Sequence, residues 1–291
     1  MTPREYEFLC RFLKERSGLM LLPTKQYLVE SRLMPVVRRA KLAGIGELVT
    51  RLQKPEAEAL RVEVTEAMTI NESFFLRDKI PFDRFRDTIL PWLLSARAPR
   101  KRIRIWCAAA ATGQEPYSLA MILDAAAAML QGWHVEILAT DISHEMIERA
   151  RAGTYSQFEV QRGLPVQMLL KHFEQVGDQW RINEKLRGMV QFRQMNLLDD
   201  FVSLGTFDLI FCRNVLIYFD AATKIAVLER LSQALARDGF LVLGAAETVV
   251  GLTGAFVPHP DKRGLYVRAA AAAADRLAPK RTPGAGSARV A

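Results

Sequence analysis

The stretch Ile103-Arg104-Ile105-Trp106-Cys107-Ala108-Ala109, continued by Ala110-Ala111-Thr112-Gly113 and then Gln114-Glu115-Pro116-Tyr117-Ser118, decides the fold. An apolar run of strand length ends in a turn of small residues, and a helical pattern opens at Gln114 and runs toward Leu130. The rhythm repeats downstream. Val135 to Asp141 reads as strand, Ser143 to Ala152 as helix, Phe207 to Cys212 as strand, Thr223 to Ala236 as helix, Gly239 to Ala245 as strand, and Gly264 to Arg268 as a last strand placed antiparallel. Such alternation predicts a parallel sheet with helices on both faces. Small residues where a strand turns into a helix let a ligand approach the backbone, although a merely tight turn would read the same way. Only Gly113 is a glycine there, so a ligand gripped by its pyrophosphate is disfavoured. Asp141 lies 28 residues beyond Gly113 at the end of the next strand. It reads either as an acceptor for two ribose hydroxyls or as a helix-capping aspartate.

Outward from this core the chain changes character. Residues 1–70 show apolar positions at three- and four-residue spacings, such as Phe8, Phe12 and then Leu33, Val36, Val37, Ala40, which predict a small all-helical domain. Arg32, Arg38, Arg39 and Lys41 gather away from that stripe, as a solvated face or as a docking surface for an acidic partner helix, and Pro35 is expected to kink or split the helix. Residues 71–102 read as a packed linker, rich in Phe74, Phe75, Phe82 and Trp92. Residues 103–268 form the main domain, interrupted at about 154–195 by a small β insertion that includes Gln179 to Ile182 and Met189 to Phe192. The tail, 269–291, begins with six alanines and ends rich in Pro, Gly and Arg, and is expected to be disordered.

The 291 residues, 50% hydrophobic and 25% charged, are of globular composition and long enough for about two domains. No apolar run approaches the roughly 20 residues of a membrane span, and Met1 to Gly18 lacks the layout of a secretory signal. A soluble cytoplasmic protein without membrane insertion is expected, taken as a monomer. Cys10, Cys107 and Cys212 are far apart and no histidine cluster accompanies them, so neither a disulfide framework nor a metal site is indicated. The net charge is +8, but five basic residues against Asp275 in 268–291, and five against no acid in 97–104, account for nine charges. The remainder sums to −1, which argues against a broad nucleic-acid-binding face.

Asn214 and Tyr218 fall just past Phe207–Cys212, at the carboxyl end of a strand, either facing a small molecule or closing a loop as a buried polar pair. The segments Asn71-Glu72-Ser73-Phe74-Phe75-Leu76-Arg77, Thr112-Gly113-Gln114-Glu115-Pro116-Tyr117-Ser118, Ala139-Thr140-Asp141-Ile142, Asn196-Leu197-Leu198 and Cys212-Arg213-Asn214-Val215-Leu216-Ile217-Tyr218-Phe219 together resemble the CheR family, the chemotaxis receptor methyltransferases. The likeness spans about residues 3 to 268, in order and in register.

The resemblance implies a class I methyltransferase-like α/β fold, a doubly wound sheet with a small all-helical N-terminal domain and a small β insertion. It also implies S-adenosylmethionine as cofactor and methyl transfer to glutamate side chains on the cytoplasmic helical bundle of chemoreceptors, yielding S-adenosylhomocysteine and glutamyl methyl esters. Carried over position by position, Asn71, Ser73, Arg77, Glu115, Asp141, Asn196, Leu197, Arg213 and Asn214 would surround the cofactor. Arg77 and Tyr218 would lie near the transferred methyl as catalytic residues. A glutamate, with a reference pKa of about 4.3, is already an ionised nucleophile near neutral pH and needs no general base. Arg77 would orient it, or else form an interdomain ion pair.

The chain departs from the family pattern at Ala111, usually serine, and at Ser73, usually threonine. Phe173 to Ile182 lacks the longer glycine-rich loop of members that grip a receptor's C-terminal pentapeptide. Pentapeptide-independent recognition through Arg32, Arg38, Arg39 and Lys41 is therefore expected. Two other classes stand against this reading. A nucleic-acid N-methyltransferase would explain Asn214 to Tyr218 but lacks the two prolines of that loop, and a catalytically silent cofactor-binding scaffold would follow if Ala111 damaged the pocket.

Overall fold

The computed structural model describes residues 1–260 and 262–270, so the tail beyond Ala270, expected to be disordered, lies outside the described residues. The N-terminal domain comprises α1 (Pro3–Ser17), α2 (Gln26–Arg39), α3 (Ile45–Leu52) and α4 (Glu58–Met68). Thr2 caps α1 by accepting from Glu5 N, while Glu5 reaches back to the Thr2 amide, and Gly18 ends the helix at φ 75°. Its core joins Leu9 and Leu13 of α1 to Val29, Leu33, Val36 and Val37 of α2 and Leu48 of α3. Helix α2 is not split at Pro35. The ring faces solvent, and burial of Val29, Leu33, Val36 and Val37 on both sides offsets the lost amide bond.

The linker is helical in its second half, with α5 (Ile80–Arg84), a π turn over Phe85–Ile89 and α6 (Leu90–Ala96). Beyond it come β1 (Arg102–Ala108), α7 (Gln114–Ala125), β2 (His134–Asp141) and α8 (His144–Ala152). The insertion holds β3 (Thr154–Ser156), α9 (Gln157–Gln161), α10 (Val166–His172), β4 (Phe173–Val176), β5 (Gln179–Ile182) and α11 (Glu184–Gly188). The chain continues through β6 (Val190–Gln194), β7 (Phe207–Cys212), α12 (Ala221–Ala234), β8 (Leu235–Leu243), β9 (Phe256–Pro258) and β10 (Leu265–Arg268).

The main sheet has the order β6-β2-β1-β7-β8-β10-β9, parallel from β6 to β8, with β10 antiparallel to both neighbours. β1 is buried on both faces. Ile105 and Cys107 join one hydrophobic layer with Phe85 and Tyr117, while Trp106 and Ala108 join the opposite layer with Ile210 and Leu231, hence the apolar run from Ile105 to Ala108. Strand order reverses at β1, which opens a crevice beyond its carboxyl end. β6 corrects the expected insertion boundary. The strand read as part of the insertion pairs with β2 in the main sheet, Ile137 opposite Val190, and the small sheet β3-β5-β4 ends before it.

Most of the basic run at the end of the linker is ion-paired, with three carboxylates set against its five cations. Arg97 pairs with Asp208 at 2.7 Å and with Asp238, Arg100 also reaches Asp208 at 2.5 Å, and Arg104 pairs with Glu136 at 2.9 Å. No helix among the described residues is long and apolar enough to cross a membrane.

Candidate functional site

Beyond the carboxyl ends of β1, β2 and β7 a cleft opens between the helical domain and the sheet. Its floor is the β1–α7 turn, where Ala109 (φ 60°) and Ala111 (φ 49°) adopt left-handed backbone. Small side chains keep that floor open. Gly113 does not itself line the cleft: a Cβ there would come within 3.0 Å of Ala150 Cβ and 3.2 Å of the Tyr117 ring, so the glycine permits close packing of α7 on α8.

Asp141, 5% exposed, holds the turn. Its Oδ2 accepts from Ala111 N at 2.8 Å and its Oδ1 from Ser143 N at 3.0 Å. Burial raises its carboxyl above the usual range, and those two amides oppose the rise. Each oxygen retains accepting capacity toward the cleft.

Glu115, in the first turn of α7, is 9% exposed and lies across the cleft. Burial raises its carboxyl, and Arg213, whose Nη1 donates to Glu115 Oε2 at 2.8 Å, pulls it back down. Arg213 also donates through Nη2 to Asp78 Oδ2 at 2.7 Å and to the Arg77 carbonyl at 2.9 Å, which ties β7 to the linker. Its Nε is buried and, among the described residues, has no hydrogen-bond acceptor.

Asn214 (φ 60°) is held by a residue that sequence reasoning missed. Glu247 Oε2 accepts from Asn214 N at 2.8 Å and Gly244 N at 2.7 Å, and its Oε1 accepts from Val215 N at 3.0 Å and Leu216 N at 2.8 Å. One carboxylate thus fixes the loop from 213 to 216 against the end of β8. Asn196 donates to the Arg16 carbonyl at 2.7 Å, and the Leu197 carbonyl accepts from Arg230 at 2.8 Å. Tyr218 packs against apolar clusters of both domains, and burial pushes its hydroxyl pKa up. Its carbonyl receives Met20 N at 2.9 Å.

All nine residues expected around the cofactor, together with Tyr218, line this one cleft. Arg77 donates to the Glu72 carbonyl at 2.7 Å and lies 5.5 Å from the Phe74 ring centre. Among the described residues it has no ion pair, so the interdomain-pair alternative is not what the structure contains. Ser17, Leu19, Thr69 and Ile70 of the helical domain and its exit also line the cleft, and no sequence reading had placed them there.

The four docking candidates separate. Arg32 donates to the carbonyls of Met68 and Thr69 at 3.0 and 2.8 Å, so it fastens α2 to the end of α4 and does not stand on a free basic face. Arg39 pairs with Glu63 at 2.7 Å. Arg38 and Lys41 are exposed and, among the described residues, unpaired.

The donor set suits an adenosyl amino acid. Two buried carboxylates can meet a diol and an ammonium, two guanidiniums can meet a carboxylate, and three alanines leave room for a nucleoside. Comparison with known proteins agrees. Residues 4–69 match the profile described as CheR methyltransferase, all-alpha domain, and residues 71–264 that of CheR methyltransferase, SAM binding domain. A chemotaxis protein methyltransferase of Vibrio parahaemolyticus is 40% identical over 259 residues, covering 88% of this chain and 93% of that protein. Chemotaxis protein methyltransferase 1 of Pseudomonas aeruginosa is 39% identical over 269 residues, covering 91% and 97%. A chemotaxis protein methyltransferase of Borreliella burgdorferi is 32% identical over 256 residues, covering 86% and 90%. The chain therefore belongs to the CheR methyltransferase family, with a class I methyltransferase fold and an S-adenosylmethionine-binding domain.

Proposed function

We propose that this protein methylates glutamate side chains on the cytoplasmic helical bundle of chemoreceptors, forming glutamyl methyl esters and S-adenosylhomocysteine. Asp141 would hold the ribose hydroxyls. Glu115 would hold the amino group and Arg213 would lie toward the carboxylate, with Asn71, Ser73, Asn196, Leu197 and Asn214 closing the walls. S-adenosylmethionine, when bound, supplies an electrophilic methyl.

The observation that carries the reading is what the cleft can and cannot do with a proton. Among the described residues its titratable side chains are Glu72, Arg77, Glu115, Asp141, Arg213 and Tyr218, with no histidine, lysine or cysteine. Glu115 is engaged by Arg213, Asp141 by backbone amides, and Glu72 by Arg162 at 2.7 Å. Such a site suits a nucleophile that arrives ionised, which a glutamate does. Arg77, with no carboxylate partner of its own, offers planar donors to that glutamate at the mouth. Its permanent charge lowers the oxygen's nucleophilicity, so its contribution is placement, not activation. Tyr218, with its hydroxyl kept neutral, would bound the same space.

Two features support recognition without a pentapeptide tether. β4 and β5 are joined by only Gly177 and Asp178, where a tethering loop would need length. Arg38 and Lys41 leave two unneutralised charges on the helical domain to meet an acidic receptor helix, and Arg39 can exchange Glu63 for a receptor carboxylate.

The test is to incubate the protein with tritiated S-adenosylmethionine and receptor cytoplasmic fragments and then treat with mild base. Label released as methanol, and lost when the receptor glutamates are replaced, is expected. Base-stable label would indicate N-methylation and overturn the reading.

A further inference from the structure

Helix α8 starts beside the cleft, and its first turn is held from outside its own domain. His144 N donates to Glu66 Oε1 at 3.0 Å, and Ser143 Oγ donates to Glu66 Oε2 at 3.1 Å. Glu66 belongs to α4 of the helical domain, three residues before Thr69 in the cleft wall. Ser143 caps α8 by accepting from Met146 N at 3.3 Å, and its own N–H reaches Asp141 Oδ1 at 3.0 Å. Asp141 Oδ2 holds Ala111 N at 2.8 Å. Glu66, Ser143, Asp141 and Ala111 thus form one unbroken hydrogen-bonded chain from the helical domain to the floor of the cleft.

Glu66 has no cationic partner among the described residues. Its charge lies close enough to Asp141 to push that carboxyl upward. Two like charges so near each other are unfavourable, and the compensating gain is geometric: an anion at a helix N-terminus gives the exposed His144 amide a fixed, charge-assisted acceptor in place of water.

We propose that Glu66 is a positioning residue of the cofactor site, capping α8 across the domain boundary and fixing the Asp141–Ser143 turn. Cofactor affinity then depends on how the helical domain is seated. By linkage, whatever shifts that domain changes cofactor affinity, and cofactor changes the affinity of the domain's partner by the same factor. The inference rests on the assignment of Asp141 as a cofactor ligand.

Two variants of the full chain decide it. Glu66→Gln keeps the reach, because its carbonyl can still accept from His144 N and its amide can donate to Ser143 Oγ. Glu66→Asp keeps the charge but is one methylene too short for both bonds. Binding of S-adenosylhomocysteine by calorimetry should weaken about five- to tenfold in Glu66→Asp and less than about threefold in Glu66→Gln. Hydrogen exchange of the ligand-free protein should quicken at residues 143–146 in Glu66→Asp alone. Wild-type affinity in Glu66→Asp, or equal weakening in both variants, would overturn the proposal. Asp141→Ala, run beside them, separates the two claims: normal binding in that variant sinks the assignment of Asp141 itself, whereas lost binding there with normal binding in Glu66→Asp sinks only the role of Glu66.

Discussion

Replacing Glu247 by glutamine should destabilise the catalytic domain by more than half as much as deleting the carboxylate. The side chain accepts four backbone amides, two on each oxygen. The amides of Leu216 and Gly244 are buried, whereas those of Asn214 and Val215 are only partly so and can turn to water. An orphaned buried amide costs about 1–3 kcal/mol, so Glu247→Ala should cost roughly 3–5 kcal/mol after relaxation. Glutamine looks conservative but is not. Its carbonyl can serve one pair of amides, which places its NH₂ against the other pair as donor facing donor. The expected cost is about 2–3 kcal/mol, which for a domain of this size lowers the thermal midpoint by roughly 5–10 °C. Scanning calorimetry of ligand-free protein measures it. S-adenosylhomocysteine affinity should fall in parallel, because the same loop presents Arg213 and Asn214. A midpoint within about 1 °C of wild type for Glu247→Gln would refute the reasoning, since it would mean that the four amides do not depend on this acceptor.

Asp141→Ala should weaken S-adenosylhomocysteine binding by about thirtyfold or more, the loss of charge-assisted hydrogen bonds to a diol. Because burial raises the Asp141 carboxyl and only the ionised form accepts both hydroxyls, affinity should decline with falling pH, starting at a higher pH than an ordinary aspartate would give. A pH series of titrations showing no decline until well into the acid range would count against it. Arg77→Ala should depress methyl transfer by about a hundredfold while altering cofactor affinity far less, and normal turnover would remove its orienting role. Charge reversal at Arg38 and Lys41 together should slow receptor methylation and flatten its dependence on salt, with cofactor affinity unchanged. Equal loss of cofactor affinity would point instead to a disturbed helical domain.

The sequence by itself carried what local chemistry can encode. Ile103 to Ala108 and Phe207 to Cys212 read as strands because burial on both faces demands a mostly apolar run, each with one charged residue near its start, and the structure has strands there. The polar residues just past those strands had to sit at one end of a parallel sheet, where the cleft gathers them. What the sequence could not reveal depends on chain closure over long separations. The run from Arg97 to Arg104 looked like free positive charge until folding set Asp208, Asp238 and Glu136 against it. Arg32 resembled its basic neighbours until Met68 and Thr69 presented two carbonyls. Val190 to Gln194 has the same alternation whichever sheet it joins, so only pairing with β2 assigned it. Glu66 and Glu247 left no pattern at all, because their partners are backbone amides and every residue except proline has one. Periodicity reports which way a side chain faces along its own element. Which distant donor or acceptor it meets is settled only when the elements pack.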